Sequence, residues 1–136
     1  MRILFDTNVL VDAAVLGRPY HQEAVRLVNL VEQDRLDSVL APISLGTLWY
    51  LGTDVYDTDP RPLIQDLRHL MDFAPMGRSV LDRALDYDSD TDFEDMYLAE
   101  AGLSAGAEGI VTRNESDFAP TELTAYHSTE LAEMLS

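Results

Sequence analysis

The chain of 136 residues contains no cysteine and no lysine. Without cysteine it forms neither disulfides nor thiolate metal sites, which is typical of proteins in a reducing compartment. No apolar run approaches the roughly 20 residues that a membrane-spanning helix needs. The first residues do not combine a charged segment with a following apolar one, the pattern of a signal peptide. We therefore expect a cytoplasmic protein that does not bind membranes.

The charge of the chain is strongly one-sided. All nine basic residues are arginine, against 25 acidic residues, and the formal net charge is −16. Such a surface repels phosphate backbones at low salt, because nucleic-acid binding normally depends on lysine and arginine contacts. At about 1 M salt the Debye length falls to roughly 3 Å, and this repulsion largely disappears. We therefore interpret the composition as that of a halophilic protein, a hypothesis that full stability in dilute buffer would contradict.

Short apolar stretches alternate with amphipathic ones, and the length is that of one domain spanning residues 1–136. The apolar stretches predict strands at residues 3–5, 38–41, 73–76, 108–112 and 123–126. The third of these contains a proline, which favours an edge of the sheet. The other stretches predict helices at residues 8–16, 20–35, 44–51, 62–71, 79–85, 91–105 and from 128 onwards. Strands separated by helices predict an α/β fold with a parallel sheet covered on both faces.

Local patterns make three of the helix predictions more specific. Thr91 and Glu94 fit a capping box, so the sixth helix is expected to begin at Thr91. Its small residues favour a close approach to the sheet. Ser128 is expected to cap the last helix. The third helix is apolar and aromatic, so Trp49 and Tyr50 are expected to pack in the interior rather than form a platform on which bases stack.

Acidic and amide side chains fall where the predicted elements meet. Asp6 ends the first strand, where open α/β sheets place their ligands. Asp92 and Asp95 share one face of a helix start, and Asn114 and Asp117 lie in the loop after the fourth strand. Carboxylates that converge at one sheet edge repel each other unless a cation lies among them. Oxygen ligands without cysteine suit Mg²⁺ or Mn²⁺, and such an ion supports hydrolysis of a phosphodiester.

Each of these features also has an ordinary structural explanation. Asp6 can close an Asx turn. Asp92 and Asp95 can serve only to stabilise a helix N-terminus through the macrodipole, and Asn114 and Asp117 are common turn residues. Composition and spacing alone therefore leave two alternatives open, an acidic metal site on a parallel sheet and a solvated acidic surface.

Three motifs follow one another along nearly the whole chain: Asp6-Thr7-Asn8-Val9-Leu10, then Asp92-Phe93-Glu94-Asp95, then Ile110-Val111-Thr112-Arg113-Asn114 with Asp117-Phe118. Together they resemble the PIN domain family, and in particular its small stand-alone members of the VapC type, the toxins of type II toxin–antitoxin pairs. The resemblance implies a three-layer α/β/α sandwich. It also implies a Mg²⁺- or Mn²⁺-dependent endoribonuclease with RNA as substrate, a cognate antitoxin as partner, and a homodimer.

The same resemblance assigns roles to individual residues. Three acids match the family's catalytic and metal-binding carboxylates: Asp6, Asp95 and Asp117. Asp92 resembles a further metal-binding acid found in one branch. Asn114 stands where many members have an Asp, and would bind a ligand or a metal-bound water. Asn8 and Thr112 would orient the carboxylates.

One position departs from the family pattern. The helix after the second strand usually carries a Glu, and Thr47 occupies that place here. A hydroxyl is a neutral and weaker ligand, so two hypotheses follow. The chain is either an active metal-dependent ribonuclease or a PIN-like RNA- or protein-binding module with weak or no catalysis. A haloacid-dehalogenase phosphatase is disfavoured, because that family requires an Asp where Asn8 stands and a lysine that the chain lacks.

Overall fold

The computed structural model describes residues 1–136 as five strands and seven helices. The strands are β1 (Arg2–Phe5), β2 (Asp37–Leu40), β3 (Asp72–Phe73), β4 (Gly109–Thr112) and β5 (Thr124–His127). The helices are α1 (Thr7–Ala14), α2 (His21–Glu32), α3 (Ile43–Tyr50), α4 (Arg61–Leu70), α5 (Arg78–Leu85), α6 (Phe93–Ser104) and α7 (Ser128–Met134). A π-helical turn, Leu51–Val55, extends α3, and a 3₁₀ turn, Glu115–Phe118, follows β4. None of the helices combines the length and apolar character needed to cross a membrane.

All five strands are parallel and lie in the order β3-β2-β1-β4-β5. β1 is therefore central, with β2 on one side and β4 on the other. After β1 the chain first builds one half of the sheet and later the other half. This arrangement leaves a crevice at the carboxyl ends of β1 and β4, the place where open α/β sheets bind ligands.

The sheet is buried on both faces, as the apolar strand sequences predict. Side chains of a strand alternate between faces, and two separate clusters of buried apolar residues reflect this. Ile3, Phe5 and Val111 contribute to the cluster that includes α1, α2 and α7. Leu4 and Ile110 contribute to the cluster that includes α5 and α6. The predicted α/β/α sandwich with a central parallel sheet is thus confirmed.

Helix α6 packs close to the sheet through Gly102, as its small residues predict. A Cβ atom added at Gly102 would lie 2.7 Å from Cδ2 and 3.2 Å from Cβ of Leu4. Leu4 is fully buried in β1, so its Cβ is fixed by the strand. The close approach therefore depends on the absence of a side chain at residue 102.

Two predicted helix starts are wrong by one residue. Asp92, not Thr91, caps α6, because Asp92 Oδ1 accepts a hydrogen bond from the Asp95 amide. The Thr91 hydroxyl instead donates to the carbonyl of Asp88. At α7 the cap is His127, whose Nδ1 accepts from the Thr129 amide. In both cases the predicted and the observed cap are adjacent residues that can each accept a hydrogen bond. The geometry of the turn before the helix decides which side chain reaches the helix amides.

The prediction that the α3 aromatics are packed is also wrong. Trp49 is 40% exposed and Tyr50 is 57% exposed. Only Ser44 and Leu48 of this helix are buried, so it is a surface helix with one narrow buried side. The predicted edge strand at residues 73–76 lies at the edge of the sheet as expected, but it is only two residues long and begins earlier, at Asp72.

We expect Gly102→Ala to destabilise the fold, although alanine is the better helix former. The added methyl group must displace a buried leucine, and overpacking a core costs about 1–3 kcal/mol. Gly46 in α3 is a matched control, because a Cβ there meets nothing within 4 Å. Gly46→Ala should stabilise by about 0.5–1 kcal/mol. Urea denaturation of both variants measures the two effects, and equal shifts would contradict the packing of α6 on Leu4.

Candidate functional site

Asp6 lies at the carboxyl end of β1 and is the N-cap of α1. Its Oδ1 accepts from the Thr7 amide at 2.8 Å, and its Oδ2 accepts from the Thr112 hydroxyl at 2.7 Å. Its own amide donates to the carbonyl of Val111 in β4. Only 6% of Asp6 is exposed. One carboxylate is therefore fixed in orientation by hydrogen bonds from two segments of the chain.

Thr112 ends β4 and connects the two strand ends of the crevice. It is fully buried. Its Oγ1 donates to Asp6 and accepts from the Asn114 amide at 3.0 Å. The carbonyl of Asn114 in turn accepts from the Asp117 amide at 3.0 Å. This chain of bonds places the 3₁₀ turn with Asp117 beside the end of β1, and it is the contact that the predicted orienting role of Thr112 requires.

Asp95 lies in the first turn of α6, and Asp92 is the cap of the same helix. One oxygen of Asp92 accepts the capping hydrogen bond, so Asp92 stabilises the helix N-terminus through a direct bond, and its other oxygen is not engaged in the cap. Asp92 is exposed and Asp95 is half-buried. Because α6 and α1 pack on opposite faces of the sheet, Asp95 and Asp6 approach the crevice from opposite sides.

A cavity of about 290 Å³ at the strand ends brings these groups together. All predicted site residues except Thr112 line it, and Thr112 lies behind Asp6. The cavity is lined by Asp6, Thr7, Asn8, Ile43, Thr47, Leu51, Asp92, Glu94, Asp95, Leu98, Asn114 and Asp117. Thr47 of α3 lies at the wall of the cavity.

The carboxylates in this cavity interact electrostatically. Burial, reinforced by the charges of Asp6, Asp92, Asp117 and Glu94, raises the pKa of Asp95 to about 7. Burial also raises the pKa of Asp6, with a smaller contribution from Asp117, although hydrogen bonds from Thr112 and Thr7 and the charge of Arg113 oppose the rise. The cavity therefore concentrates negative charge that no side chain fully neutralises.

The donor chemistry of this cavity fits a hard divalent cation. The site offers carboxylate, amide and hydroxyl oxygens, the ligands that Mg²⁺ and Mn²⁺ prefer. Asn8 Oδ1 is buried without a hydrogen-bond partner, so it is an acceptor that a metal-bound water would satisfy. However, no three acidic or histidine side chains stand at the mutual spacing of ligands on one ion. The acids share a cavity, but they do not form a preassembled ligand cage.

An ion-pair network behind the cavity could not be read from the motifs. Asp12 of α1 is fully buried. Its Oδ1 accepts from Arg18 Nε at 2.8 Å, and its Oδ2 lies 2.9 Å from Arg113 Nε. The sequence carried one signal for it, since Asp12 is the only charged residue in the apolar run from Val9 to Leu16.

Comparison with known proteins agrees with this architecture. A family model described as the PIN domain matches residues 2–116. The fold is similar to VapBC2 from Rickettsia felis bound to a DNA fragment from their promoter, with TM-score 0.65, 13% identity, and coverage of 93% of this chain and 98% of that chain.

A second similar structure is FitAcB from Neisseria gonorrhoeae, with TM-score 0.64, 14% identity, and coverage of 95% of this chain and 99% of that chain. At such low identity these two structures establish the fold alone. None of the curated proteins is significantly similar to the chain in sequence. The family model spans most of the chain, and the chain belongs to the PIN domain family.

Proposed function

We propose that the chain is a Mg²⁺- or Mn²⁺-dependent endoribonuclease and the toxin of a type II toxin–antitoxin pair. PIN domains are generally nucleases. The observation that carries the proposal is that Asp6, Asp95 and Asp117 come from a strand end, a helix start and a late turn, and line one cavity at the sheet's crevice. Burial and, after it, repulsion from the neighbouring carboxylates raise the pKa of Asp95, and such repulsion favours a cation among them.

The proposed roles follow from the contacts of each residue. Asp6, Asp95 and Asp117 would hold the ion, with Asp92 beside them contributing the oxygen that does not cap α6. When bound, such an ion lowers the pKa of a water and neutralises charge that develops on the phosphodiester. Thr112 keeps Asp6 oriented through its hydrogen bond.

Three of the predicted site residues line the cavity without a carboxylate's charge. Asn114 and Asn8 supply neutral oxygens to it. Thr47 supplies a hydroxyl where the family pattern has a carboxylate, which reduces the negative charge of the site by one. We propose that the additional acids Asp92 and Glu94, which both line the cavity, compensate for that loss.

A PIN-like RNA- or protein-binding module with weak or no catalysis is the second candidate. Two observations favour it. Thr47 is a weaker ligand than a carboxylate, and the acids are not preassembled at ligand spacing. The cleavage experiment below separates the two candidates, since only the first requires turnover.

The proposed partners follow from the surface. A second cavity of about 540 Å³ shares Asp92, Asp95 and Asp117 with the first and is lined by further acids, Asp86, Asp88 and Asp90. Such a groove favours an antitoxin segment that inserts arginine or lysine.

We also propose that the chain forms a homodimer in the cytoplasm, which sedimentation of the isolated chain tests. The net charge of −16 supports a halophilic source, so RNA cleavage should be measured at high salt.

Removing one candidate ligand should abolish cleavage without unfolding the protein. We expect Asp117→Asn to lower the rate of RNA cleavage in Mn²⁺ by more than about 100-fold, because loss of a group that merely supports a metal ligand already costs roughly 10–100-fold. Asp6→Asn should have a comparable effect. Gel-based cleavage of single-stranded RNA at molar salt measures both.

Glu115→Gln is a matched control for Asp117→Asn. Glu115 lies in the same 3₁₀ turn and is exposed, but it does not line the cavity. Its neutralisation should leave the rate within about twofold of wild type, in keeping with the small effects of surface substitutions. Equal losses in both variants, or no cleavage by the wild-type protein, would contradict the nuclease proposal.

The raised pKa of Asp95 predicts how stability depends on pH without metal. Between about pH 4, where an unfolded Asp titrates, and about pH 7, where folded Asp95 titrates, the folded state holds a proton that the unfolded state has lost. Stability contributed by this group is therefore full at low pH and is lost as the pH rises to 7. Asp95→Asn should raise the Tm at pH 8 and leave it nearly unchanged at pH 4.

Mn²⁺ should reverse this pattern. At pH 8 the ion should raise the Tm of the wild-type protein, by the equivalent of about 2.7 kcal/mol at a hundredfold excess over Kd, and it should stabilise Asp95→Asn much less. Asp82→Asn on the exposed side of α5 controls for the general loss of one negative charge. A Tm that responds to Mn²⁺ equally in all three proteins would contradict a metal site at Asp95.

A further inference from the structure

We propose that the ion pair between the buried Asp12 and the half-buried Arg113 positions the late turn that carries Asn114 and Asp117. Arg113 thereby acts on the reaction through its neighbours and not by touching RNA. The inference rests on the proposed nuclease function. It concerns a residue pair that lies outside the cavity lining.

The burial of Asp12 makes this pair unusual. Asp12 is fully buried within α1, and its two partners come from different segments, Arg18 from the connection to α2 and Arg113 from the residue that follows β4. A buried carboxylate needs partners of opposite charge, because desolvation of an unpaired ion costs several kcal/mol. Well-packed apolar residues would serve a core equally well, so stability alone does not explain why a charge lies here.

The geometry shows what the pair holds. α1 contacts the end of β4 at two places. At its N-cap, Asp6 accepts from Thr112. Six residues later Asp12 forms an ion pair with Arg113 at 2.9 Å, without the alignment of a hydrogen bond. At 1.5 Å per residue these points are about 9 Å apart along the helix axis. Two consecutive residues of the β4 end are therefore fixed to one rigid helix at two separate points.

The Arg113 contact adds to the bonds that hold the start of the turn. Asn114 is bonded through its amide to Thr112 Oγ1, and Asp117 is bonded through its amide to the Asn114 carbonyl. The buried side chain of Phe118 holds the far end of the turn, and β4 pairs with β5 up to Thr112. The Arg113 contact adds a constraint at the near end, at the residue before Asn114, and thereby limits the direction in which Asp117 points relative to Asp6 and Asp95.

The test compares Arg113→Gln with Arg18→Gln. Each variant removes one of the two arginines from the same buried carboxylate, so both should lower the Tm by similar amounts. Arg18 bonds Asp12 and the Tyr56 hydroxyl, and it has no contact with the β4 end. We expect Arg113→Gln to lower kcat for RNA cleavage by about 10–100-fold with little change in KM, and Arg18→Gln to leave kcat within about threefold of wild type.

A second measurement does not depend on cleavage. Mn²⁺ affinity by calorimetry should fall by about 10–100-fold in Arg113→Gln and stay near wild type in Arg18→Gln. Arg113→Lys, which keeps the charge, should recover part of both losses. The double variant Asp12→Asn/Arg113→Gln should be no worse in kcat than the poorer single variant, because the two residues act as one unit.

The outcomes separate this inference from the proposed function. Cleavage by the wild-type protein, with equal kcat values in the two arginine variants, would overturn the positioning role and leave the nuclease proposal intact. A raised KM with unchanged kcat in Arg113→Gln would show that Arg113 contacts RNA, and would also overturn it. A wild-type protein that neither cleaves RNA nor binds Mn²⁺ would overturn both.

Discussion

The hydrogen bond from Thr112 to Asp6 joins the ends of the two central strands, and the proposed site depends on it. The bond is buried and 2.7 Å long. A buried carboxylate without hydrogen bonds is unfavourable, and this bond satisfies one of the two oxygens of Asp6. It also fixes the start of the segment that carries Asp117. Because β1 and β4 are neighbours in a parallel sheet, their carboxyl ends meet at the crevice. The sheet topology thus decides which acids can meet, and the hydrogen bond decides their orientation.

The fold brings like charges together at that crevice, and this is the opposite of what stability favours. Asp6, Asp95 and Asp117 come from three elements, and burial together with the neighbouring carboxylates raises the pKa of Asp95 to about 7. The environment of Asp12 is different. This most deeply buried acid of the chain has two arginine partners. A carboxyl group in a cavity whose pKa is raised by burial and by neighbouring charges is a candidate functional group, and Asp95 fits that description.

The sequence was sufficient to predict the fold because the three inner strands of the sheet, β1, β2 and β4, are short apolar runs bounded by polar residues, glycine or proline. The same reasoning located Asp6 and placed Thr112 at the end of a strand, whereas only the family resemblance made Thr112 a candidate for orienting Asp6. It failed where neighbouring residues compete for one role, as Thr91 and Asp92 do at the start of α6. It also failed for the exposed Trp49, because aromatic composition does not reveal which side of a helix faces solvent. The Asp12–Arg113 pair joins distant parts of the chain, and no local pattern predicts such a contact.

The central claim is that three carboxylates from a strand end, a helix start and a late turn share one divalent ion. Anomalous diffraction from a crystal soaked in Mn²⁺ tests this claim most directly. We expect one strong anomalous peak in the cavity at the ends of β1 and β4, at ligand distance from Asp6, Asp95 and Asp117. An anomalous peak found only among the exposed acids before α6 would contradict the claim. The absence of any peak in the cavity, with the three carboxylates too far apart to share an ion, would contradict it as well.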